Sequence, residues 1–485
     1  MSHFDARLSE KFTYTVTSVP FWSILACILT TFVMPQASSD IILTFSKMIL
    51  VALTLTLVGS IWFLDRARLR HSLPTSALIF FLLYLVSSFL SNTVFSSMPS
   101  YTLLGYKNWS TGYYFSALCI LLLIISTLRY DKRRIVGFTY KPFFFMTLVL
   151  LFICISEILG FNVLLGSSWF RFNGEPLSLS KTSYPIAGVG NSGLLAGVWL
   201  LLAPLPLLVV KKNKIVYYLW TLCIAIGLGS CHSKSTLLIY SIFVIIQGAY
   251  FLKSKNFILI FWCILTVIVS YSSLPIFQAS NIFLYKYGLV NRKNADNFNP
   301  SSKDYSLSVR NRIIIYKSTA KLIAQRPMVG WGYETLQEKF FDTLNQSDYL
   351  YFISSVMQQK EDETVKRFGN LHILVKKANP KVGISAQVFT IVKPHNTVLE
   401  EIYSNGLIGF VLLASGLAVC VAFILKRRNR VALIFLTCCS IYTVYLMFWF
   451  TTAGVTTFAA ILFGLAVRIS AMGTIEIGVK ADDQS

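Results

Sequence analysis

Twelve apolar runs recur along the sequence, and their length restricts the folds that the chain can adopt. A helix that crosses a bilayer needs about 20 mostly apolar residues, since each residue adds about 1.5 Å of rise. The runs cover residues 15–34, 41–64, 73–90, 113–128, 142–159, 188–210, 215–228, 236–252, 257–274, 407–425, 431–450 and 455–469. They predict an all-α polytopic membrane protein with about 12 transmembrane helices.

The composition agrees with this prediction. Of the 485 residues, 55% are hydrophobic and 13% are charged, which is about half the charged share of an ordinary soluble domain. Lys and Arg outnumber Asp and Glu by 43 to 21, for a net charge of +22. A mean hydropathy of +0.63 argues against a soluble nucleic-acid-binding protein, so no nucleic acid partner is expected. We interpret the charge as cytoplasmic Lys and Arg clusters together with cations that face an anionic substrate.

The positive charges alternate between connections. Every second connection is rich in them: Arg66, Arg68, Arg70, Arg129, Lys132, Arg133, Arg134, Lys211, Lys212, Lys214, Lys253, Lys255, Lys426, Arg427, Arg428 and Arg430. The short connections between these hold only Lys107, Arg171, Lys181 and Lys234. Because Lys and Arg are enriched in cytoplasmic loops, both termini are expected in the cytoplasm.

One connection, residues 275–406, is too long for a plain loop and is predicted to be a small, partly helical extracytoplasmic domain. The chain thus divides into transmembrane helices 1–9 (residues 1–274), this loop domain (275–406), and transmembrane helices 10–12 with a cytoplasmic tail (407–485). The nine Cys residues lie in or beside the apolar runs. Their spacing predicts neither a disulfide framework nor a metal site.

Polar residues gather on the predicted outer face, first in the segment around His395. His395 and Asn396 precede an apolar-periodic run, so a helix is predicted to begin here with Asn396 as its cap. A helix N-terminus favours anions, and Glu400 in the first turn could reach back towards His395. A capping turn with an incidental His explains the segment equally well.

A second polar segment contains Arg310 and Arg312. A helix is predicted over 311–324, ending before Pro327. Both arginines would then stand at its start, where the helix dipole disfavours cations. An acidic side chain or a bound phosphate is expected to compensate them. The turn at Gly330-Trp331-Gly332 would permit close approach of backbone.

Further cations are predicted on the same face. Lys234 would begin the eighth span, and Arg171 and Lys181 lie in the loop before the Gly190–Ala196 segment. Lys47 would lie about 9 Å below the outer end of the second span. An intramembrane Lys is a candidate functional residue, although snorkelling to the interface is the alternative. A His and several cations on one face suit a diphosphate on a lipid carrier.

Four stretches of the chain resemble the O-antigen ligase/polymerase superfamily of bacterial membrane glycosyltransferases. They are Leu104–Gly112, with a Gly at each side of an outer loop; Gly190–Ala196, followed by Pro204; Asn311–Tyr316 with Pro327–Gly332; and His395–Glu400 with Gly406–Gly409. Their order, the twelve runs and the long late loop are also similar to that superfamily. The resemblance implies a multi-pass protein of the bacterial plasma (inner) membrane.

The resemblance also implies the substrates. The donor would be a glycan linked through a diphosphate to undecaprenol, with its lipid tail among the membrane lipids. Three acceptors stay open: a lipid A-core sugar for a ligase, another repeat unit for a polymerase, or a protein hydroxyl for a protein O-oligosaccharyltransferase. Neither a metal nor a cofactor is expected, because fixed cations can neutralise the diphosphate, and the transfer should invert the anomeric centre.

Roles for individual residues follow from the resemblance. His395 would orient or deprotonate the acceptor hydroxyl, while Arg312 and Lys234 would neutralise charge on the leaving diphosphate. The position of Lys234 is an Arg in the superfamily, so the geometry of phosphate binding differs there. A second departure is Ser192-Gly193, where the superfamily has Asn-Pro-Asn after Gly-Asn.

Other residues receive supporting roles. Arg310, Lys47 and Arg171 are second candidates for diphosphate binding, and Glu400 and Asn396 would orient His395. Outside the enzyme class, a lipid-linked-sugar flippase or another transporter fits twelve spans and a cationic cavity. Transporters often contain two similar halves, whereas no repeat is visible here; a membrane scaffold would not explain the clustered cations. The sequence thus predicts that Arg312 and His395 meet outside the bilayer.

Overall fold

The structure is a computed structural model, and it describes much of the chain. The described residues are 15, 18–31, 49, 51–60, 63, 69–105, 112–130, 140–158, 171–172, 175–176, 192–231, 233–286, 303–357, 364–368, 371–375, 386–389, 393–449 and 453–472. Lys47, predicted as a site residue, and Lys181, predicted as an outer-face cation, lie outside them.

Helices dominate the described part. In chain order they are α1 (Val19–Thr31), α2 (Val51–Ser60), α3 (Thr75–Thr93), α4 (Pro99–Leu104), α5 (Tyr113–Ser126), α6 (Lys141–Ile158), α7 (Ser192–Leu202), α8 (Lys214–Ser230), α9 (Lys234–Lys253), α10 (Phe257–Lys286), α11 (Lys303–Gln325), α12 (Leu336–Lys339), α13 (Gln346–Met357), α14 (Thr397–Arg427), α15 (Arg430–Leu446) and α16 (Ala453–Met472). Short 3-10 turns cover Leu205–Leu208 and Phe341–Thr343.

Five of the described helices are long and apolar enough to cross a membrane. They are Thr75–Thr93, Lys141–Ile158, Lys234–Lys253, Thr397–Arg427 and the Val455–Met472 part of α16. Shorter apolar helices coincide with most of the other predicted runs. The protein is therefore mostly helical with membrane-spanning helices, as predicted, while the count of twelve spans stays a prediction.

The outer surfaces of the long helices are apolar. On α9, for example, Ile242, Ile245 and Ile246 are at least half exposed. The interior is apolar as well, and Trp22, Trp199 and Trp220 do not contribute any exposed surface. Large exposed apolar patches mark surfaces that contact a membrane or a partner, which agrees with lipid around the helices.

Contacts between connections group the helix ends. β1 (Leu69–His71) pairs antiparallel with β2 (Leu128–Tyr130), so two Arg-rich connections meet. Arg430, at the start of α15, donates a hydrogen bond from Nη2 to the carbonyl of Leu207 at 2.8 Å. This bond joins the α14–α15 connection to the turn that follows α7. Each contact joins connections that the charge pattern assigns to one side of the membrane.

The 275–406 region differs in detail from the prediction. α10 continues through Pro275 to Lys286, so the predicted domain boundary falls inside a helix. The region also contains an antiparallel sheet of β5 (Thr364–Phe368), β6 (Leu371–Val375) and β7 (Ala386–Phe389) in the order β5-β6-β7. Strands of four or five residues carry too little alternation to stand out in the sequence. Outside this region, β3 (Arg171–Phe172) pairs antiparallel with β4 (Glu175–Pro176).

The helix that follows the His395 segment is broken. Inside α14, Gly406 has a φ of 68° and a ψ of −179°, which is outside the helical region. Such a break leaves backbone N–H and C=O groups without their helical partners, and these groups must be paired when they are buried.

The loop 327–332 supplies those partners. Four backbone hydrogen bonds join it to the break: Trp331 N–H to Tyr403 O (2.8 Å), Gly332 N–H to Ser404 O (2.9 Å), Leu407 N–H to Pro327 O (2.8 Å) and Ile408 N–H to Met328 O (3.3 Å). The Pro-x-x-Gly-x-Gly stretch and the Gly-Leu-Ile-Gly stretch are therefore two halves of one joint.

The joint leaves no room for a side chain at its two central glycines. A Cβ on Gly406 would lie 2.1 Å from the carbonyl oxygen of Met328, and a Cβ on Gly330 would lie 2.6 Å from the amide nitrogen of Gly406. Both glycines also have positive φ. Only Gly adopts such angles without strain.

A buried carboxylate reinforces the joint. Glu401 accepts hydrogen bonds from Tyr84 (2.6 Å), from Tyr333 (3.0 Å) and from the Asn405 amide (2.6 Å). Asn92 of α3 accepts one from the Tyr333 amide at 2.7 Å. The network therefore ties α3, the segment after loop 327–332 and α14 together.

We predict that Gly406→Ala destabilises the protein. The added methyl group meets backbone of loop 327–332 and forces a strained φ, which should cost at least about 1–3 kcal/mol. The temperature of unfolding of the detergent-solubilised chain measures this. Gly248→Ala is the matched control, because a Cβ there meets nothing within 4 Å. Equal unfolding temperatures for the two variants would contradict this account of the joint.

Candidate functional site

His395 lies in the turn that begins α14. Asn396 caps this helix, since its side chain accepts a hydrogen bond from the Leu399 amide at 3.0 Å. The same side chain donates to the carbonyl of Met447 at 3.0 Å, and the Thr397 hydroxyl donates to the carbonyl of Trp449 at 3.2 Å. The turn is therefore fixed to the segment that follows α15.

The backbone of His395 itself is unusual. Its φ is 53°, in the left-handed region that residues other than Gly seldom occupy. The Tyr316 hydroxyl donates a hydrogen bond to the His395 carbonyl at 3.1 Å. Residues held in sparsely populated backbone regions occur where surrounding contacts over-determine them, and such residues cluster at functional sites.

Trp449 brings Arg312 and His395 together. The guanidinium carbon of Arg312 lies 5.6 Å from the centroid of the Trp449 ring. The imidazole of His395 lies 6.2 Å from the same ring, at an interplanar angle of 62°. Two residues that are far apart in the sequence therefore share one neighbour. Tyr316, one turn after Arg312 in α11, adds its hydrogen bond to the His395 carbonyl.

The surroundings of His395 favour a neutral imidazole. Burial, together with the positive charges of Arg312 and Lys393, lowers its pKa from 6.5 to about 4. Burial and nearby cations both disfavour the protonated form. At pH 7 the neutral imidazole is therefore the dominant form.

Lys393 is a site residue that the sequence analysis missed. Its ammonium lies 3.0 Å from the Glu400 carboxylate, and the side chains are 4% and 8% exposed. The other Glu400 oxygen, Oε2, is buried and has no hydrogen-bond partner among the described residues. Glu400 thus pairs with Lys393, which acts electrostatically on His395, and the orienting role of Glu400 stays a prediction.

The predicted helix start at residue 311 is wrong. α11 begins at Lys303, so Arg310 and Arg312 stand inside the helix and the argument from its dipole does not apply. The first residues of α11 are polar, so they lack the apolar period that marks a helix. The predicted end before Pro327 is correct, since α11 ends at Gln325.

Arg310 does not join His395. Its guanidinium carbon lies 3.6 Å from the centroid of the Tyr351 ring in α13. Positions two apart on a helix point roughly 200° from each other, which explains why neighbouring arginines have different partners. Among the described residues, Arg310 therefore belongs to the packing of α11 on α13.

The structure gives less detail on the surroundings of the other predicted cations, Lys234 and Arg171. Lys234 is exposed at the start of α9, directly after Ser233, which is the N-cap residue. Cys231, three residues before it, lies within electrostatic range of Tyr445, and so does Arg312. The start of α9 is thus on the His395 side of the helices. For Arg171 the structure describes the backbone of β3 alone.

An aromatic stack backs the site, and sequence reasoning missed it. The Tyr445 and Trp449 rings stack with centroids 6.2 Å apart and planes 14° apart. Tyr442 stacks on Tyr445 at 5.7 Å and 22°. The spacing of three and four residues was an available signal, since it places three aromatic side chains on one helix face.

The stack is fixed to α7. The Tyr445 hydroxyl donates to the carbonyl of Gly193 at 2.8 Å. A Cβ on Gly197 would lie 2.7 Å from the Tyr445 ring, so glycine there lets the ring approach. Part of the Gly190–Ala196 segment therefore meets the same site as the Arg312 and His395 segments.

The chemistry of this site is that of a base beside fixed cations. A neutral imidazole can accept a proton, and the adjacent guanidinium can stabilise an anion. No group of three or more His, Cys, Asp or Glu residues that could hold a metal ion occurs within the described ranges.

Comparisons with known proteins do not assign a family. No protein-family model matches the chain, and no curated protein matches it. The functional argument therefore depends on the residues of the site.

We predict that Lys393→Met destabilises the fold by about 3–5 kcal/mol, because it leaves Glu400 buried without its counter-ion. The double variant Lys393→Met/Glu400→Gln should recover most of this loss, since no buried charge remains. Thermal unfolding of all variants measures the coupling. Additive effects of Lys393→Met and Glu400→Gln would show that the two side chains do not interact.

Proposed function

We propose that this chain is a membrane glycosyltransferase of the bacterial plasma membrane. It would move a glycan from an undecaprenyl-diphosphate carrier to an acceptor hydroxyl on the outer face, as an O-antigen ligase does. The observation that carries the proposal is the meeting of His395 and Arg312 on Trp449. Transfer from a lipid diphosphate needs a group that takes a proton and a cation that receives the leaving diphosphate.

The reaction is a substitution at the anomeric carbon. The acceptor oxygen forms the new glycosidic bond while the bond from the anomeric carbon to the diphosphate oxygen breaks. The acceptor proton passes to the neutral imidazole of His395, and the bonding electron pair leaves with the diphosphate. Attack opposite the leaving group inverts the anomeric centre, and Arg312 stabilises the growing negative charge.

The low pKa of His395 fits this sequence of events. A base with a pKa near 4 is weak at neutral pH, and bases work best near the operating pH. The bound diphosphate would add negative charge beside Arg312 and so raise the pKa of His395. His395 would therefore become a more effective base when the donor is in place.

The orientation in the membrane follows the charge pattern. Paired Arg-rich connections, such as β1 with β2, would face the cytoplasm with both termini. The turn around His395 would then face outwards, where lipid-linked glycans are presented. The donor's polyprenyl chain would lie among the membrane lipids beside the helices.

The product identifies the acceptor. A ladder of growing lipid-linked glycan indicates a repeat-unit polymerase, a single capped lipid A-core indicates a ligase, and a glycosylated Ser or Thr indicates a protein O-oligosaccharyltransferase. Reconstitution of the full chain with a defined undecaprenyl-diphosphate glycan and each acceptor separates the three.

We predict that His395→Ala lowers glycan transfer by at least about 100-fold, the usual contribution of a general base. Transfer from the defined donor in reconstituted vesicles measures it. His71→Ala is the control, because His71 lies in β1 and hydrogen-bonds to the carbonyl of Leu73 instead. Undiminished transfer by the His395→Ala variant would end the catalytic assignment.

We predict that Arg312→Lys reduces transfer more than Lys234→Arg does. The guanidinium carbon of Arg312 lies 5.6 Å from the centroid of the Trp449 ring, and an ammonium in its place cannot bind a phosphate in a bidentate manner. At position 234 the substitution retains the charge and adds donors. Initial rates at saturating donor compare the two. The opposite order would contradict the roles assigned to these cations.

A further inference from the structure

Trp449 is held from several directions. Its carbonyl accepts a hydrogen bond from Thr397, and the Phe448 amide beside it bonds to the carbonyl of Tyr445 at 2.9 Å. Its ring stacks on Tyr445, which is itself anchored to Gly193 in α7. The position of the indole is therefore fixed both by backbone and by a neighbouring ring.

The fixed indole contacts both groups that the reaction uses. Arg312 approaches the ring as a cation over an aromatic system, and His395 approaches it at a steep interplanar angle. A guanidinium over an indole gains electrostatic attraction from the ring and is confined in orientation. The indole and imidazole ring centroids lie 6.2 Å apart, so the indole occupies space beside His395 that water could otherwise fill.

We propose that Trp449 is a positioning residue of the transferase: it holds the Arg312 guanidinium and the His395 imidazole at a fixed separation and keeps water away from the imidazole. The proposal rests on the glycosyl-transfer function proposed above. Trp449 need not touch the substrate, since its effect passes through the two residues that do.

The charged groups around His395 determine how its protonation would respond to a substitution at Trp449. Arg312 comes from α11, and Lys393 with its partner Glu400 comes from the chain around the start of α14. Tyr316 bonds to the His395 carbonyl and not to the imidazole. Loss of the indole would admit water and release Arg312, and both changes favour the protonated imidazole.

Transfer kinetics test the positioning role. In Trp449→Leu, kcat should fall by about 100-fold, the size of effect that a misplaced catalytic group produces, with a smaller change in KM for the donor. Trp449→Phe keeps an aromatic face and should retain more of the activity. The matched control is Trp262→Leu, because Trp262 is also half-buried but packs on Tyr218 in the α8–α10 contact.

Titration of His395 tests the proposal without any glycan transfer. The chain has five His residues, and the NMR signal of His395 in the ¹³C-histidine-labelled, detergent-solubilised protein is the one that His395→Gln removes. Its midpoint should lie near pH 4 in the unaltered protein and move upwards, towards 6.5, in Trp449→Leu. Trp262→Leu should leave it unchanged.

The outcomes separate the two proposals. An upward shift with reduced kcat supports the positioning role, whereas an unchanged midpoint together with unchanged kcat overturns it. A fall in unfolding temperature with a normal midpoint and normal kcat per folded molecule also overturns it, since this indicates packing alone. If the unaltered chain transfers no glycan from the defined donor, the proposed glycosyltransferase function fails, yet the titration still decides whether Trp449 sets the environment of His395.

Discussion

A helix that is broken within packed protein must find partners for the backbone groups released by the break, and α14 has this requirement at Gly406. Loop 327–332 meets it through four backbone hydrogen bonds. Because this loop directly follows α11, the same contact fixes α11 beside the beginning of α14. Arg312 and His395 are brought into one site as a consequence, although many residues separate them in the sequence.

The polar groups around the joint divide into two kinds. Glu401 is buried but receives hydrogen bonds from Tyr84, Tyr333 and Asn405, so it serves the rigidity of the joint. Glu400, the adjacent residue, pairs with Lys393 and lies close to the candidate site. The two adjacent carboxylates thus have different partners, because successive side chains on a helix point about 100° apart.

Two cations contribute to the electrostatics of the site. Arg312 and Lys393 both lower the pKa of His395. Lys393 pairs with Glu400. In the proposed function, the Arg312 guanidinium would receive the diphosphate of the donor.

The sequence predicted the local features that depend on neighbouring residues. The Asn396 cap follows from its side chain and the apolar period behind it, and the end of α11 follows from Pro327. The start of α11 was missed because its first turns are polar. Lys393 was missed because its importance arises from tertiary contacts, which no spacing along one segment reveals. The spacing of Tyr442, Tyr445 and Trp449 indicates an aromatic face, but it does not show that this face meets Arg312 and His395. Arg310 could not be told from Arg312 until the partners of each were known.

Arg312 and His395 occupy one site, and the charge of Arg312 acts on the protonation of His395. Titration of the His395 imidazole in Arg312→Met measures this directly, with Arg310→Met as the control because Arg310 packs on Tyr351. The account predicts that removal of the Arg312 charge raises the His395 midpoint above its value near 4 while the control leaves it in place. An identical midpoint in all three proteins would contradict the account.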